Sequence, residues 1–281
     1  MSIASAIPAN LRSTARLLNR GRWIRKARVA RTGGGQVDLR TRLDHILLDA
    51  ETDTYSYDLA SPAALAEPVA DVLGVNQETV STYIQEMLTD AELRHTVRSR
   101  TVWRPQYKWQ PPLGRHAIAY STLRVLRPRQ TVELGVRHGL GTLVMLRALE
   151  RNARDGASGN LLSIDCDPTA AGLVRPHPYW RLVVGRTPEV LSSNLIRHPI
   201  GFAISDTTSD PAVTSREYDF VLNQRADRIA LIQNGSWNDV LRLRAAGSGW
   251  RFREIEEQSR GHVVAGRLVH FASLKAPDDA N

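Results

Sequence analysis

The chain has 281 residues, of which 42% are hydrophobic and 23% charged, as is typical of a globular protein that can bury a sizeable core. No apolar run reaches the roughly 18 residues that a membrane-spanning helix needs, which argues against a helical membrane protein. The one cysteine, Cys166, excludes an intramolecular disulfide and a zinc site built from cysteines. Together these features predict a cytoplasmic protein.

The net charge of +8 is concentrated at the start of the chain. Residues 1–40 contain nine Lys or Arg residues and one acid, Asp38, so this basic N-terminal arm accounts for the whole excess. The arm is open to three interpretations: a solvated or partner-docked helix, a contact with an anionic membrane or nucleic acid, or a transit peptide. The neutral remainder argues against a nucleic acid as the substrate.

Residues 41–112 are predicted to form a helical module that includes a possible helix-turn-helix. Within the segment Ala66–Gln85, the residues Ala70, Gly74 and Val80 fall at the spacings of that motif. The segment carries three acids and neither Lys nor Arg, whereas contacts to DNA phosphates need basic side chains. Dimerisation, or a wall over a substrate pocket, is therefore a better use for this module than DNA binding.

The module ends in a connector rich in aromatic residues and proline, over residues 103–112. Its rings are expected either to pack as a linker onto the next domain or to form part of a pocket.

Residues 113–281 show short β-rich runs that alternate with helical segments. Because the last two runs leave no room for a crossover helix, they are expected to pair as an antiparallel hairpin. The alternation predicts an α/β fold with a seven-stranded, mostly parallel, doubly wound sheet. The predicted strands are Thr131–Val136, Leu161–Asp165, Arg181–Val184, Gly201–Ser205, Arg228–Gln233, Trp250–Ile255 and Arg267–Leu274. The predicted helices are Leu143–Arg154, Pro188–Leu195 and Ser236–Ala246.

A glycine-rich turn follows the first predicted strand. Glu133 is followed by Gly135, Gly139 and Gly141, with Thr142 opening a helix. This spacing differs from the dinucleotide fingerprint Gly-x-Gly-x-x-Gly. It resembles the acid-x-Gly-x-x-x-Gly signature of class I S-adenosylmethionine-dependent methyltransferases. Over residues 113–281 the chain is most similar to small-molecule and sugar O-methyltransferases with an N-terminal helical extension.

The resemblance implies that S-adenosylmethionine binds across the carboxyl ends of the strands. It assigns cofactor binding to five residues in and around the glycine-rich turn: Glu133, Gly135, Gly139, Gly141 and Thr142. Asp165, at the end of the second strand, would accept the ribose hydroxyls, with Asp167 as the reserve. The region Gly185, Arg186 and Thr187 would lie near the adenine, although Arg186 departs from the polar or acidic residue that the family often has there.

The acid at the end of the fourth strand lies beside the transferring methyl group in that family, which maps to Asp206. Asp206 would contact the cofactor and either orient the acceptor or remove its proton. His138 is a second candidate for the general base, and His116 and His262 are further ones.

A metal site would need the fourth-strand acid together with the end of the fifth strand. That end carries the amides Gln233 and Asn234 where metal-using relatives have an acid and an amide. One carboxylate and two amides, even with Asp210 nearby, make a weak Mg²⁺ site, so no required metal is expected.

The resulting prediction is a methyltransferase that acts on a hydroxyl of a sugar or another secondary metabolite. A possible homodimer would form through the helical module, and no specific nucleic acid is expected as a partner. The rival interpretations are a non-catalytic S-adenosylmethionine-binding or DNA-binding regulatory protein, and a methyltransferase acting on nucleic acid.

Overall fold

The structure is a computed structural model that describes residues 62–101, 114–191, 193–257 and 267–275. The predicted basic arm, the connector at 103–112 and His262 lie outside these residues. No helix in the described ranges is both long and apolar enough to cross a membrane.

The described residues contain one seven-stranded sheet in the order β3-β2-β1-β4-β5-β7-β6. Strands β1 to β5 pair in parallel, while β7 lies antiparallel between β5 and β6. This arrangement confirms the predicted α/β fold and its terminal hairpin. The strands are β1 Gln130–Leu134, β2 Asn160–Asp165, β3 Trp180–Val184, β4 Ile200–Ser205, β5 Arg225–Asn234, β6 Trp250–Glu257 and β7 Arg267–Lys275.

The helices lie on both faces of this sheet, as a doubly wound fold requires. They are α1 Pro62–Leu73, α2 Gln77–Thr89, α3 Ala91–Thr101, α4 Arg115–Leu126, α5 Leu140–Arg154, α6 Thr187–Val190, α7 Pro211–Asn223 and α8 Val240–Arg244. A 3₁₀ turn, Ser193–Leu195, follows α6. The helices after β3 and β5 are shorter than predicted.

Helices α4 and α7 were not predicted, although α7 carries an ordinary start signal. Asp210 caps it by accepting a hydrogen bond of 2.9 Å from the backbone N–H of Ala212, and Pro211 follows in the first turn. Aspartate at the cap and proline just after it favour a helix start. The start of α7 is therefore visible in the sequence.

The central strands are covered on both faces, which explains why their sequences lack polar alternation. All residues of β1 and β4 are buried. One apolar cluster joins the sheet to α1–α5, and a second joins it to the side of α6, α7 and α8. Helices α1, α2 and α3 therefore share a core with the sheet.

Helices α1 and α2 cover the segment in which a helix-turn-helix was predicted, and a turn at Gly74 separates them. The turn residue has φ of +58°, a conformation that glycine adopts without strain. Helix α1 packs against β6 and β7, and the buried Val80, Ile84 and Met87 of α2 face inward. The motif thus serves here as packing on one face of the α/β core.

An ion-pair network joins α3 to α5 around the buried Asp90. Arg147 and Arg151 each donate to its carboxylate, at 2.7 and 2.6 Å. Burial by itself would raise the pKa of Asp90, but the hydrogen bonds from Arg147, the Leu93 backbone N–H and Arg151 lower it to about 2. The charged carboxylate therefore helps to hold the helices against the sheet domain.

Candidate active site

A cleft of about 610 Å³ lies over the carboxyl ends of the central strands. In open α/β sheets, ligands bind at this edge, where the strand order reverses. The residues predicted to bind the cofactor that line it are Glu133, Gly135, Gly141, Asp165, Asp167, Arg186, Thr187 and Asp206. Gly139, Thr142, Gly185 and His138 lie outside this lining.

Two parts of the cleft can be distinguished by the strands that carry them. The β1–β2 side is defined by Glu133, Gly135, Asp165 and Asp167. The β4–β5 side is defined by the residues Arg115, His116, Asp206, Thr207 and Trp237.

The turn after β1 needs glycine at two positions. Gly135 has φ of +86°, and a Cβ atom there would lie 2.5 Å from the backbone oxygen of Asp206. Gly139 has φ of +88°, and a Cβ there would lie 2.6 Å from Val174. Such distances are far inside van der Waals contact, so any side chain would push the turn away from the neighbouring segments.

Glu133 is buried at the floor of the β1–β2 side. One of its carboxylate oxygens accepts hydrogen bonds from the hydroxyls of Thr142 at 2.8 Å and Ser163 at 2.6 Å. Burial raises the pKa of Glu133 to about 7, although these two hydrogen bonds act in the opposite direction. The hydrogen bond from Thr142 thus fixes the orientation of the Glu133 carboxyl group. With a pKa of about 7, this group changes its charge near neutral pH.

Asp165 ties the end of β2 to the turn after β1. Its Oδ2 accepts the backbone N–H groups of Val136 and Arg137, both at 2.8 Å, and its Oδ1 accepts that of Asp167 at 2.9 Å. Each carboxylate oxygen can accept more than one hydrogen bond, so the group can also receive hydroxyls from a ligand. Asp167 is itself capping a turn, since Thr169 donates to it through N–H and hydroxyl.

The segment between the end of β3 and the start of α6 forms the outer wall of the cleft. Gly185 packs behind it, where a Cβ would lie 2.3 Å from Val190. Arg186 is exposed at the wall, and the Thr187 hydroxyl donates inward to Glu217.

Glu217 is a buried carboxylate that sequence reasoning missed. Besides Thr187, it accepts hydrogen bonds from Ser205 at 2.9 Å and from Thr207 at 2.9 and 3.0 Å. It therefore connects α7 to the start of α6 and to the segment at the end of β4. The available signal was an acid on the inward face of α7, beside the buried Tyr218.

On the β4–β5 side, Asp206 forms an ion pair with Arg115 and accepts a 3.1 Å hydrogen bond from the amide of Asn234. Asp206 directly follows β4, Arg115 begins α4, and Asn234 ends β5. His116 also lines the cleft, next to Arg115. Arg115 was not foreseen, because the start of α4 was not predicted.

His138 and Gln233 are not part of the cleft lining. His138 is half-buried, and its backbone carbonyl accepts the N–H of Leu173 at 3.0 Å. The side chain of Gln233 donates to the carbonyl of Asn238 at 2.8 Å and accepts the N–H of Leu241 at 2.7 Å. It thus fixes the loop before α8 and is turned away from a shared site with Asp206.

Within the described ranges, no group of three or more His, Cys, Asp or Glu side chains could hold a metal ion. The guanidinium of Arg115 beside Asp206 adds a fixed positive charge at the place where a divalent cation would have to bind. Like charges at such distances repel each other.

Residues 132–232 match a family model described as a methyltransferase domain. No curated protein matches the chain in sequence. The family match begins within β1 and ends within β5, and it contains the glycine turn and the carboxyl ends of β1 to β4.

Several solved structures share the fold. The O-methyltransferase TomG from Streptomyces achromogenes, involved in tomaymycin synthesis and solved with S-adenosylmethionine, is 15% identical at a TM-score of 0.50, with 73% of this chain and 99% of that chain covered. A candidate O-methyltransferase from Klebsiella pneumoniae is 14% identical at 0.51, covering 69% and 96%. Cofactor-bound Rv0187 from MTB is 10% identical at 0.50, covering 78% and 100%.

Proposed function

We propose that this chain is a class I S-adenosylmethionine-dependent methyltransferase that methylates a hydroxyl of a small molecule, such as a sugar or another secondary metabolite. The match of residues 132–232 to a methyltransferase domain supports the proposal. The observation that carries the proposal is the cleft over the strand ends, which has the carboxyl groups of Glu133, Asp165 and Asp167 on its β1–β2 side and the Asp206 carboxylate on its β4–β5 side. The division leaves room for two ligands side by side.

We assign the cofactor to the β1–β2 side. Carboxylates suit a ligand with a sulfonium, an amino group and ribose hydroxyls, and Glu133 and Asp165 supply them there. Gly135 and Gly141 line the cleft and let the backbone approach the ligand, Gly139 shapes the turn, and Thr142 orients Glu133. Asp167, Arg186 and Thr187 extend this surface toward the position proposed for the adenine, with Gly185 packed behind it.

The acceptor is assigned to the β4–β5 side, with Asp206 as its orienting residue. S-adenosylmethionine supplies a methyl group already activated for displacement. The protein then has to align the acceptor oxygen with the methyl carbon and exclude water. Asp206 lies in the cleft lining, whereas His138 does not, so Asp206 is retained as the functional residue of this pair. The same proposal includes no requirement for a divalent metal.

Three segments complete the proposal. The sequence divides into the basic arm of residues 1–40, the predicted helical module and connector of residues 41–112, and the predicted methyltransferase domain of residues 113–281. A homodimer through the helical module and a location in the cytoplasm belong to this proposal as well.

Calorimetric titration with S-adenosylmethionine and S-adenosylhomocysteine tests the assignment of the cofactor. Micromolar binding by the wild type, weakened at least tenfold in Glu133→Ala and Asp165→Ala, is the expected result. Asp239→Asn is the control, because Asp239 is an exposed acid whose main partner is the surface residue Arg242. A wild-type protein that binds neither ligand would contradict the proposed function.

A screen for the acceptor follows, with release of S-adenosylhomocysteine as the readout. Transfer to a hydroxyl, detected as a methyl ether by mass spectrometry, supports the proposal. A methylated amine or carbon as the sole product would contradict the oxygen assignment.

A further inference from the structure

The carboxyl group of Glu217 lies behind the cleft wall, where three hydroxyls donate to it from two separate segments. Thr187 donates to Oε1, and Ser205 donates to Oε2 at 2.9 Å. The hydroxyl of Thr207 lies 2.9 Å from Oε1 and 3.0 Å from Oε2. These four residues are called the Glu217 cluster below. Thr187 begins α6, whereas Ser205 ends β4 and Thr207 directly follows Asp206. The cluster therefore joins the wall proposed for the adenine to the segment that carries Asp206.

The Glu217 cluster is enclosed by protein. Glu217 is fully buried, and Ser205 and Thr187 are 3% and 6% exposed. A hydroxyl has one hydrogen to donate, so each of the three hydroxyls is committed to this carboxyl group. Turning one of them away would leave a buried carboxyl oxygen with one hydrogen bond fewer, which is costly. A displacement at one member should therefore be felt by the others.

Two members of the cluster also face the space where ligands would bind. Thr187 and Thr207 line the cleft, while Glu217 lies behind them. A ligand seated against the wall at Thr187 thus contacts a residue whose hydroxyl is fixed to the same carboxyl group as that of Thr207. Because Thr207 is the next residue after Asp206, its position constrains the backbone of Asp206.

A second connection between the two sides of the cleft runs through the backbone. The N–H of Asp206 donates to the carbonyl of Leu134 at 2.8 Å, and a Cβ on Gly135 would lie 2.5 Å from the backbone oxygen of Asp206. This connection uses the turn after β1 and no atom of the Glu217 cluster. Substitutions that remove only hydroxyls of the cluster can therefore separate the two connections.

Resting on the proposed methyl transfer, we propose that Glu217 is a positioning residue that couples cofactor binding to the placement of Asp206. A cofactor seated against the wall holds the Thr187 hydroxyl on Glu217, and Glu217 in turn holds Thr207 and the backbone beside it. Glu217 itself touches neither ligand. Because coupling between two sites is reciprocal, an acceptor that holds Thr207 should raise the affinity for the cofactor by the same factor.

Hydrogen–deuterium exchange, read by mass spectrometry with and without saturating S-adenosylhomocysteine, tests this coupling. In the wild type, the ligand should slow exchange in the glycine turn, residues 135–139, and by about tenfold in residues 206–210. Thr187→Val removes the hydroxyl and keeps the shape of the side chain. In this variant the turn should still be protected, while the effect at 206–210 should fall below about threefold. Thr187→Ser, which keeps the hydroxyl, should restore it.

Glu217→Gln changes the centre of the cluster without changing its size. An amide has one acceptor oxygen and an NH₂ group that donates, so it cannot accept all three hydroxyls in the same way. The ratio of exchange rates with and without ligand at 206–210 should fall as in Thr187→Val. A uniform loss of stability leaves that ratio unchanged, so the ratio distinguishes positioning from a structural role. Thr82→Val is the control, because the exposed Thr82 hydroxyl bonds only within its own helix, to the carbonyl of Glu78.

Four outcomes would overturn the inference. The first is wild-type protein that binds S-adenosylhomocysteine with no slowing at 206–210. The second is protection that persists in Thr187→Val and Glu217→Gln, which would assign the coupling to the backbone connection through Gly135. The third is failure of Thr187→Ser to restore the effect, and the fourth is loss of ligand binding in Thr187→Val, which would assign that hydroxyl to the cofactor. Wild-type protein that does not bind S-adenosylhomocysteine at all would instead refute the proposed function, and with it this inference.

Discussion

The two sides of the cleft are assembled in different ways. On the β1–β2 side, Glu133 and Asp165 lie near the ends of two neighbouring parallel strands and the glycine turn follows the first, so short sequence segments carry most of the geometry. On the β4–β5 side, Arg115 and Asp206 are 91 positions apart, and Asn234 is another 28 further along the chain. The first side is a local motif on a sheet edge, whereas the second depends on the packing of α4 against that edge.

This difference predicts how substitutions should behave. Changes on the β1–β2 side should affect cofactor affinity, and those on the β4–β5 side should affect turnover with cofactor affinity preserved.

The largest effect is expected for Gly135→Ala. The new Cβ would lie 2.5 Å from the Asp206 backbone oxygen in a residue with φ of +86°, so the turn must move. We expect at least a hundredfold loss of affinity for S-adenosylhomocysteine by calorimetry, equivalent to about 3 kcal/mol.

Gly156→Ala is a matched control for this change. Gly156 has φ of +85°, but a Cβ at this position would have no atom within 4 Å, so only the backbone strain of about 1 kcal/mol applies. Equal losses of affinity in the two variants would show that strain, rather than the close approach of Asp206, is decisive.

Asp206→Asn should lower kcat by about a hundredfold, because a misplaced donor or cation near the reacting oxygen costs roughly that much. Affinity for S-adenosylmethionine should change by less than about threefold, since the contacts of Asp206 are with Arg115 and Asn234. Steady-state kinetics and calorimetry on the same preparation check both. A large loss of cofactor affinity with normal kcat would remove the distinction between the two sides.

Asp165 and Asp167 compete for the ribose position, and a pair of isosteric variants separates them. Asp165→Asn disturbs acceptors for three backbone N–H groups and should weaken S-adenosylmethionine binding by about tenfold, or ~1.4 kcal/mol. Asp167→Asn disturbs the exposed turn at Thr169 and should cost less than threefold. The reverse ranking by calorimetry would assign the ribose to Asp167.

A smaller effect is expected from the titration of Glu133. Because burial raises its pKa from 4.5 to about 7, the folded protein binds a proton that the unfolded chain has released between these pH values. Its contribution to the free energy of unfolding is therefore largest below pH 4.5 and is lost as the pH rises to about 7. Urea unfolding should show this decline in the wild type and not in Glu133→Gln. If the free energy of unfolding declined equally with pH in the wild type and in Glu133→Gln, another group would be responsible.

No effect is expected from metal removal. EDTA should leave turnover within about twofold, since Arg115 already supplies the positive charge beside Asp206. Loss of activity with EDTA and its recovery with Mg²⁺ would show that a cation displaces or joins the guanidinium.

The sequence by itself determined the sheet. Apolar runs, their alternation with helical segments and the missing crossover before the last strand predicted seven strands and the antiparallel end. The glycine spacing and the acids at strand ends were equally visible, because a tight turn and a strand tip impose local requirements on residue type. Those residues gather at the cleft since parallel strands end at the same edge.

Only the tertiary structure decided which distant side chains meet there. Arg115 and Glu217 act through contacts with residues 91 and 30 positions away, as in the bonds to Asp206 and Thr187, and no local periodicity records such pairs. The packing of α1–α3 onto the core likewise comes from buried apolar faces that could cover any matching surface. The local sequence pattern determines the backbone conformation and which face of an element is buried. Which element packs against that buried face depends on the packing of the whole chain.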